Sequence, residues 1–135
     1  MEKIDVKVSW SGDNYCAGIG SINGVVMVTN KTLEGVKHEF SSALQFHIQA
    51  SVADGDFIPE HLVNGEYEIN YVLETSALLR NVEKYTTIAA ISRVTGINQQ
   101  QLSHYANATS IPRPKQREKI IEGLHRIGKE FLSVV

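Results

Sequence analysis

The feature that most constrains the fold of this 135-residue chain is a change of hydrophobic period near residue 75. Before it, apolar and polar residues alternate in Ile4-Asp5-Val6-Lys7-Val8-Ser9-Trp10 and again in Glu66-Tyr67-Glu68-Ile69-Asn70-Tyr71-Val72-Leu73. A period of two marks a strand with one buried face. After Thr75 no alternation survives eight residues, and helix-length segments are separated by Thr, Gly or Pro. Strands followed by a run of helices predict an α+β chain.

Between the two alternating segments the turn chemistry sets the order of elements. Ser11-Gly12-Asp13-Asn14 predicts a turn, with Tyr15-Cys16-Ala17-Gly18-Ile19 as the antiparallel return. Gly20-Ser21-Ile22-Asn23-Gly24 predicts a second turn before a third strand at Val25-Val26-Met27-Val28-Thr29. Gly18-Ile19-Gly20-Ser21-Ile22-Asn23-Gly24 has glycines spaced like a phosphate loop, but a dinucleotide fingerprint needs a helix next, and a Val-rich strand follows. Leu33, Val36, Phe40, Ala43, Leu44 and Ile48 then recur at steps of three and four, with Thr29 or Thr32 as cap. A polar loop from Ala53 to Gly65 precedes the fourth strand, so residues 1–74 read as βββαβ.

Residues 75–135 read as all-α. Ser76 to Lys84 predicts a helix with Leu78, Leu79 and Val82 inward, and Thr86 or Thr87 caps a second that runs to about Thr95. Gly96 makes a turn, Asn98 caps a third helix from Gln99 to Ala106, and Leu102 and Tyr105 should face inward. Pro112 and Pro114 break the chain before a last helix from Lys115 to Leu132. Its Ile120, Leu124, Ile127 and Phe131 suit either local core or a dimer seam, with local core preferred. Gly123 and Gly128 cost this helix about 1 kcal/mol each against Ala, so it needs tertiary packing.

Charge divides the chain at the same place. Residues 1–74 hold four lysines against eleven Asp and Glu, a balance of −7, and residues 75–135 hold nine Lys and Arg against four Glu, a balance of +5. The second half suits a polyanion and the first a basic partner. No apolar stretch reaches the roughly 18 residues of a membrane helix, and no basic-then-apolar leader opens the chain, so a cytoplasmic protein without membrane contact is expected. The single Cys16 reads as a small core residue. Histidines 38, 47, 61, 104 and 125 include no pair at the spacing that puts two metal ligands on one helix face. No nucleophile has a supporting histidine and carboxylate nearby in sequence, and neither catalytic residues, metal nor cofactor is expected.

The second half also carries the parts of a helix-turn-helix: Ile91-Ser92 before the turn, Gly96 for a positive φ, Ile97 inward, the Asn98 cap and the Leu102 anchor. With Leu102 inward, Gln99, Gln100, Ser103 and His104 occupy the exposed face near the helix N-terminus and are the candidate base readers; Gln can pair bidentately with adenine. Asn98, Gln101, Arg113, Lys115 and Arg117 are the candidate phosphate contacts. Because one short helix contacts few bases, a symmetric homodimer on a palindromic site of double-stranded DNA is expected, with half-sites about 34 Å apart or a multiple.

The segments Ile88 to Val94, Gly96 to Tyr105 and Pro112-Arg113-Pro114-Lys115-Gln116 resemble the phage-repressor class of helix-turn-helix. Together with the βββαβ front and the join Tyr67-Glu68-Ile69-Asn70-Tyr71-Val72-Leu73-Glu74-Thr75-Ser76-Ala77-Leu78-Leu79-Arg80, nearly the whole chain resembles an antitoxin of the HicB type. Lys31-Thr32-Leu33-Glu34-Gly35-Val36 is similar to that family's Thr-Leu-Glu-Glu-Ala pattern. The resemblance implies a partial ribonuclease H-like first lobe, without nuclease activity, that binds a small basic HicA-type ribonuclease toxin. It also implies a second lobe that dimerises and represses its own operon. The chain departs from the family at Gly20-Ser21-Ile22-Asn23-Gly24, where many members carry a Pro-Asp-Leu-Pro-Gly-Cys-like loop, which leaves the toxin-facing surface open. Two alternatives stand beside this reading. One is a stand-alone repressor whose first lobe binds a ligand or oligomerises. The other is a metal-dependent ribonuclease H-like nuclease using acids such as Asp5, Asp13, Glu34 and Glu39, although Asp5 precedes a lysine and Asp13 falls in a turn.

Overall fold

The computed structural model describes residues 1–19 and 25–135. The turn expected over Gly20 to Gly24 lies outside the described residues. The fold is mixed α+β, a four-stranded sheet followed by helices, and it divides into two compact units, Met1–Glu74 and Thr75–Val135.

The first unit runs β1 (Glu2–Ser11), β2 (Asn14–Ile19), β3 (Val26–Asn30), α1 (Leu33–Ala53), α2 (Glu60–Val63) and β4 (Tyr67–Leu73). Strand order is β3-β2-β1-β4. The central β1 pairs antiparallel with β2, Trp10 opposite Tyr15, and parallel with β4, Ile4 opposite Ile69. A parallel neighbour requires a crossover connection, and α1 supplies it. Gly12, at φ +63°, takes the first position of the two-residue hairpin between β1 and β2, where a positive φ suits glycine.

Alternation along β1 puts Ile4, Val6 and Val8 in the interior, and α1 buries Leu33, Val36, Phe40, Leu44 and Ile48 at steps of three and four. The Thr32 hydroxyl accepts from the Gly35 N–H at 2.9 Å and caps α1. Asn30 braces the same end: its Oδ1 accepts from the Thr32 N–H at 3.0 Å, and its Nδ2 donates to Glu39 at 2.7 Å. Phe40 meets Tyr71 edge-on at 6.3 Å, and the Tyr71 hydroxyl donates to the Lys37 carbonyl at 2.8 Å.

Three expectations need correction. The segment from Ala53 to Gly65 is not simply a loop, because Ala53 ends α1 and the turn of helix α2 forms over Glu60–Val63 with Ile58 and Leu62 buried as anchors. Cys16 is not in the core: it stands opposite Ser9, whose parity along β1 is that of Lys7 and Asp5, so it lies on the outer face and is half-buried. Phe131 is 59% exposed, because α6 outruns the core it packs on.

The second unit is α3 (Thr75–Val82), α4 (Ile88–Thr95), α5 (Gln99–Ala106) and α6 (Pro114–Leu132). Leu79, Ile91, Ile97, Leu102, Tyr105, Ala106 and Ile120 form its core, with Val82, Ile88, Leu124 and Ile127 packed against it. Every helix thus contributes to one cluster. Gly123 is buried where α6 crosses α4; a Cβ there would lie 2.5 Å from Thr95 Cγ2 and 3.2 Å from Val94 Cγ2. Glycine is needed at that crossing for close approach, whereas Gly128 faces open space. No helix among the described residues is long and apolar enough to cross a membrane.

Candidate nucleic-acid interface

The candidate surface is built on α5 and the turn before it. Thr87 caps α4 by accepting from the Ala90 N–H at 3.0 Å. Gly96 ends α4 with φ +77°, and its N–H returns to the Ser92 carbonyl. Such a left-handed residue reverses the chain, and glycine adopts it without strain. Two hydroxyls then lock the turn. Ser92 Oγ donates to the Ile97 carbonyl at 2.6 Å, and Thr95 Oγ1 donates to the Ile91 carbonyl at 2.7 Å while accepting from the Ile97 N–H at 3.2 Å. Ile97 itself is buried, so the turn is held from the apolar and the polar side together.

Asn98 opens α5: its Oδ1 accepts from the Gln101 N–H at 2.8 Å. Asn98 therefore acts as the helix cap, and the first-turn amides beside it remain directed along the helix axis toward its N-terminal end. Leu102 is fully buried and Tyr105 and Ala106 nearly so, which fixes the rotation of α5. Burying a leucine side chain contributes about 2 kcal/mol, so turning this helix by half a turn would be costly. The consequence for the polar residues is direct. Gln99, Gln100 and His104 are exposed and Ser103 is partly so; Gln100 and His104 lie farthest round the helix from Leu102, whereas Gln99, three residues before it, borders the Leu102 side. Gln101 is half-buried on a different flank of the helix.

The cations are less uniform. Arg113 and Lys115 are exposed at the start of α6, where Pro114 occupies the first turn and no acid stands in it. Arg117, one turn further, is half-buried and its Nη1 donates to Thr75 Oγ1 at 2.9 Å, tying α6 to α3. Its guanidinium is engaged inside the unit. Sequence reasoning passed over Arg93, which is exposed on α4 one turn before Gly96; the helical step of two from buried Ile91 is the signal that would have found it. Two further arginines act as braces: Arg126 donates to the Val94 carbonyl at 3.0 Å, and Arg80 joins Glu83 at 3.3 Å and the side chain of Asn107 at the end of α5.

Compared with family models, curated proteins and solved structures, the chain gives no match. Its chemistry has to be argued from the residues. The alternative site, on the first unit, is sparse in the groups that metal-dependent cleavage needs. Asp5 Oδ1 accepts from Asn70 Nδ2 at 2.9 Å, so its neighbour on β4 is an amide and not a second carboxylate, and Glu39 is bonded to Asn30. Among the described residues no three His, Cys, Asp or Glu are grouped so as to hold a metal ion.

Proposed function

We propose that the chain is a dimeric DNA-binding regulator of the HicB antitoxin type: the second unit, with α4 and α5 as its helix-turn-helix, reads double-stranded DNA, and the first unit binds a small basic ribonuclease toxin. The observation that carries the DNA half is the exposed surface of α5, with Gln99 and Gln100 in the first turn followed by Ser103 and His104, on a capped helix whose Leu102, Tyr105 and Ala106 are pinned in the core. Gln99 and Gln100 read bases, with Ser103 and His104 beside them. Arg113, Lys115 and Arg93 approach phosphates, and the +5 balance of the unit favours the encounter.

The toxin half is supported by the −7 balance of the first unit and by its topology. An antiparallel β1–β2–β3 meander, a crossover helix and a fourth strand parallel to β1 are what a partial ribonuclease H-like lobe would require, and they support that reading. The Asp5–Asn70 amide pair supports reading it as a binding lobe and not a nuclease. Dimerisation would use the end of α6, where Phe131 and Leu132, 59% and 86% exposed, extend the stripe of Leu124 and Ile127 beyond the local core. Phe131→Glu should then shift sedimentation from dimer to monomer; a dimer that persists places the seam elsewhere.

The DNA reading is tested by a mobility-shift series with Gln100→Ala across operator variants. Loss of affinity at particular base pairs supports base reading, at about 1–3 kcal/mol per pair. Uniform loss, or none, refutes it. Co-expression with the neighbouring open reading frame tests the toxin half: a stable complex that relieves toxicity is expected, and a harmless neighbour that forms no complex removes the antitoxin reading.

A further inference from the structure

The first unit ends its sheet on β4, an edge strand seven residues long with no proline. The Glu74 N–H donates to the Val8 carbonyl at 2.8 Å, which fixes which backbone groups face β1. Successive residues of a strand point their N–H and C=O groups to opposite sides, so Asn70 and Glu68 share the direction of Glu74. Tyr67, Ile69 and Tyr71 point theirs the other way, along the outer edge of the sheet. The side chains of these same three residues are only half-buried beneath α1. At the start of the strand a cleft of about 350 Å³ opens between Tyr67, α2 and the Ser41, Gln45 and Gln49 face of α1. The face of the sheet that α1 covers is thus only partly filled along β4, where Tyr71 reaches Phe40 and the Lys37 carbonyl, and this leaves room for one more extended segment, whose backbone would pair with the edge and whose alternate side chains would enter the groove.

Charge selects the occupant. Between Lys37 and Arg80 the sequence contains no Lys or Arg but seven acids, Glu39, Asp54, Asp56, Glu60, Glu66, Glu68 and Glu74. The last three lie on or flank β4. A second copy of the chain would bring an equally acidic strand to this edge, and like charges across a strand pair are destabilising. We infer that the outer edge of β4 accepts a basic extended segment of a partner protein as a fifth strand, apolar residues turned toward α1 and Lys or Arg toward Glu66 and Glu68. This rests on the reading of the first unit as the partner-binding half and specifies how the partner is held.

The test uses the full chain and two capped seven-residue probe peptides, one alternating Arg with Val and one alternating Glu with Val, followed by residue-resolved amide hydrogen exchange. At saturation the Arg–Val peptide should slow exchange at Tyr67, Ile69 and Tyr71 by tenfold or more and leave Glu68 and Asn70 as they were, while the Glu–Val peptide slows none of the five. The double variant Glu66→Gln, Glu68→Gln, at exposed positions outside the core, should bind the Arg–Val peptide at least threefold more weakly with an unchanged circular dichroism spectrum. Protection at other residues, equal effects of the two peptides, or no binding would overturn the proposal. So would protection of the three amides that rises with protein concentration without peptide, which would give the edge to a second copy. Failure of the antitoxin reading is separable: peptide protection without a complex on co-expression removes the toxin and keeps the edge. A toxin complex that leaves these amides exchanging freely does the reverse.

Discussion

The same substitution at two places on α6 should have opposite effects. At Gly123 an added methyl meets Thr95 Cγ2 at 2.5 Å and Val94 Cγ2 at 3.2 Å. Thr95 cannot turn aside cheaply, because its hydroxyl holds both the Ile91 carbonyl and the Ile97 N–H, bonds worth about 1 kcal/mol each. Overpacking of this kind costs roughly 1–3 kcal/mol, and the gain from replacing glycine within a helix offsets about 1 kcal/mol of it. Gly123→Ala should therefore destabilise the second unit, by up to about 2 kcal/mol. At Gly128 an added Cβ meets nothing within 4 Å, so Gly128→Ala keeps the propensity gain and should stabilise by about 0.5–1 kcal/mol. Urea unfolding followed by far-ultraviolet circular dichroism measures the difference; with a slope near 1 kcal/mol/M for a unit this small, the two midpoints should separate by about 2 M. Trp10, the only tryptophan, lies in the first unit and serves as an internal reference whose transition should not move. Midpoints that shift in the same direction for both variants would refute the crossing-point account.

Among the described residues Ala108 is the non-glycine residue in the left-handed region, at φ 60°, where an L side chain costs about 1 kcal/mol. Ala108→Gly should raise the melting temperature of the second unit by a few degrees, and a fall would show the conformation is not strained. Burial, and secondarily the neighbouring Tyr67, pushes the Tyr71 phenol above the ordinary tyrosine value. The unfolded chain then releases that proton first, so this group leaves stability unchanged below about pH 10 and lowers it as pH rises further. Absorbance at 295 nm, compared with Tyr71→Phe, should show that the substitution removes a late-titrating step, and removal of a step at the ordinary tyrosine pH would contradict the assignment. Arg113→Ala should reduce the salt slope of DNA binding by about one unit, whereas Arg117→Ala, which loses the Thr75 bond, should mainly lower thermal stability.

The parts of the fold that were legible in the sequence are those where local chemistry and packing agree. Asn98, Gly96 and Leu102 set the bounds and rotation of α5 from three independent signals, a cap, a left-handed turn and a buried anchor, and α5 spans Gln99–Ala106 as those signals predict. β1 was legible because a period of two needs only one buried face to be read. Helix α2 was not, because a single turn over Glu60–Val63 is too short to show a period, and its existence depends on Ile58 and Leu62 finding a buried place. Phe131 shows the opposite failure: its spacing continues the apolar stripe of α6, but periodicity gives direction and not reach, and the core stops at Ile127. For Arg117, composition supplied a cation near a proline but not the Thr75 hydroxyl 42 residues away that engages it.

The central claim is that a rigidly held α5 reads DNA sequence as part of a symmetric dimer. Selection from random-sequence duplexes, run side by side with the native chain and Gln100→Ala, measures this most directly. The account predicts enrichment of an inverted repeat whose half-sites lie about 34 Å apart or a multiple of that, with information lost in the variant at the base pairs that Gln100 contacts in each half-site. Recovery of no enriched sequence, or of the same sequence with the same information content from both proteins, would contradict it.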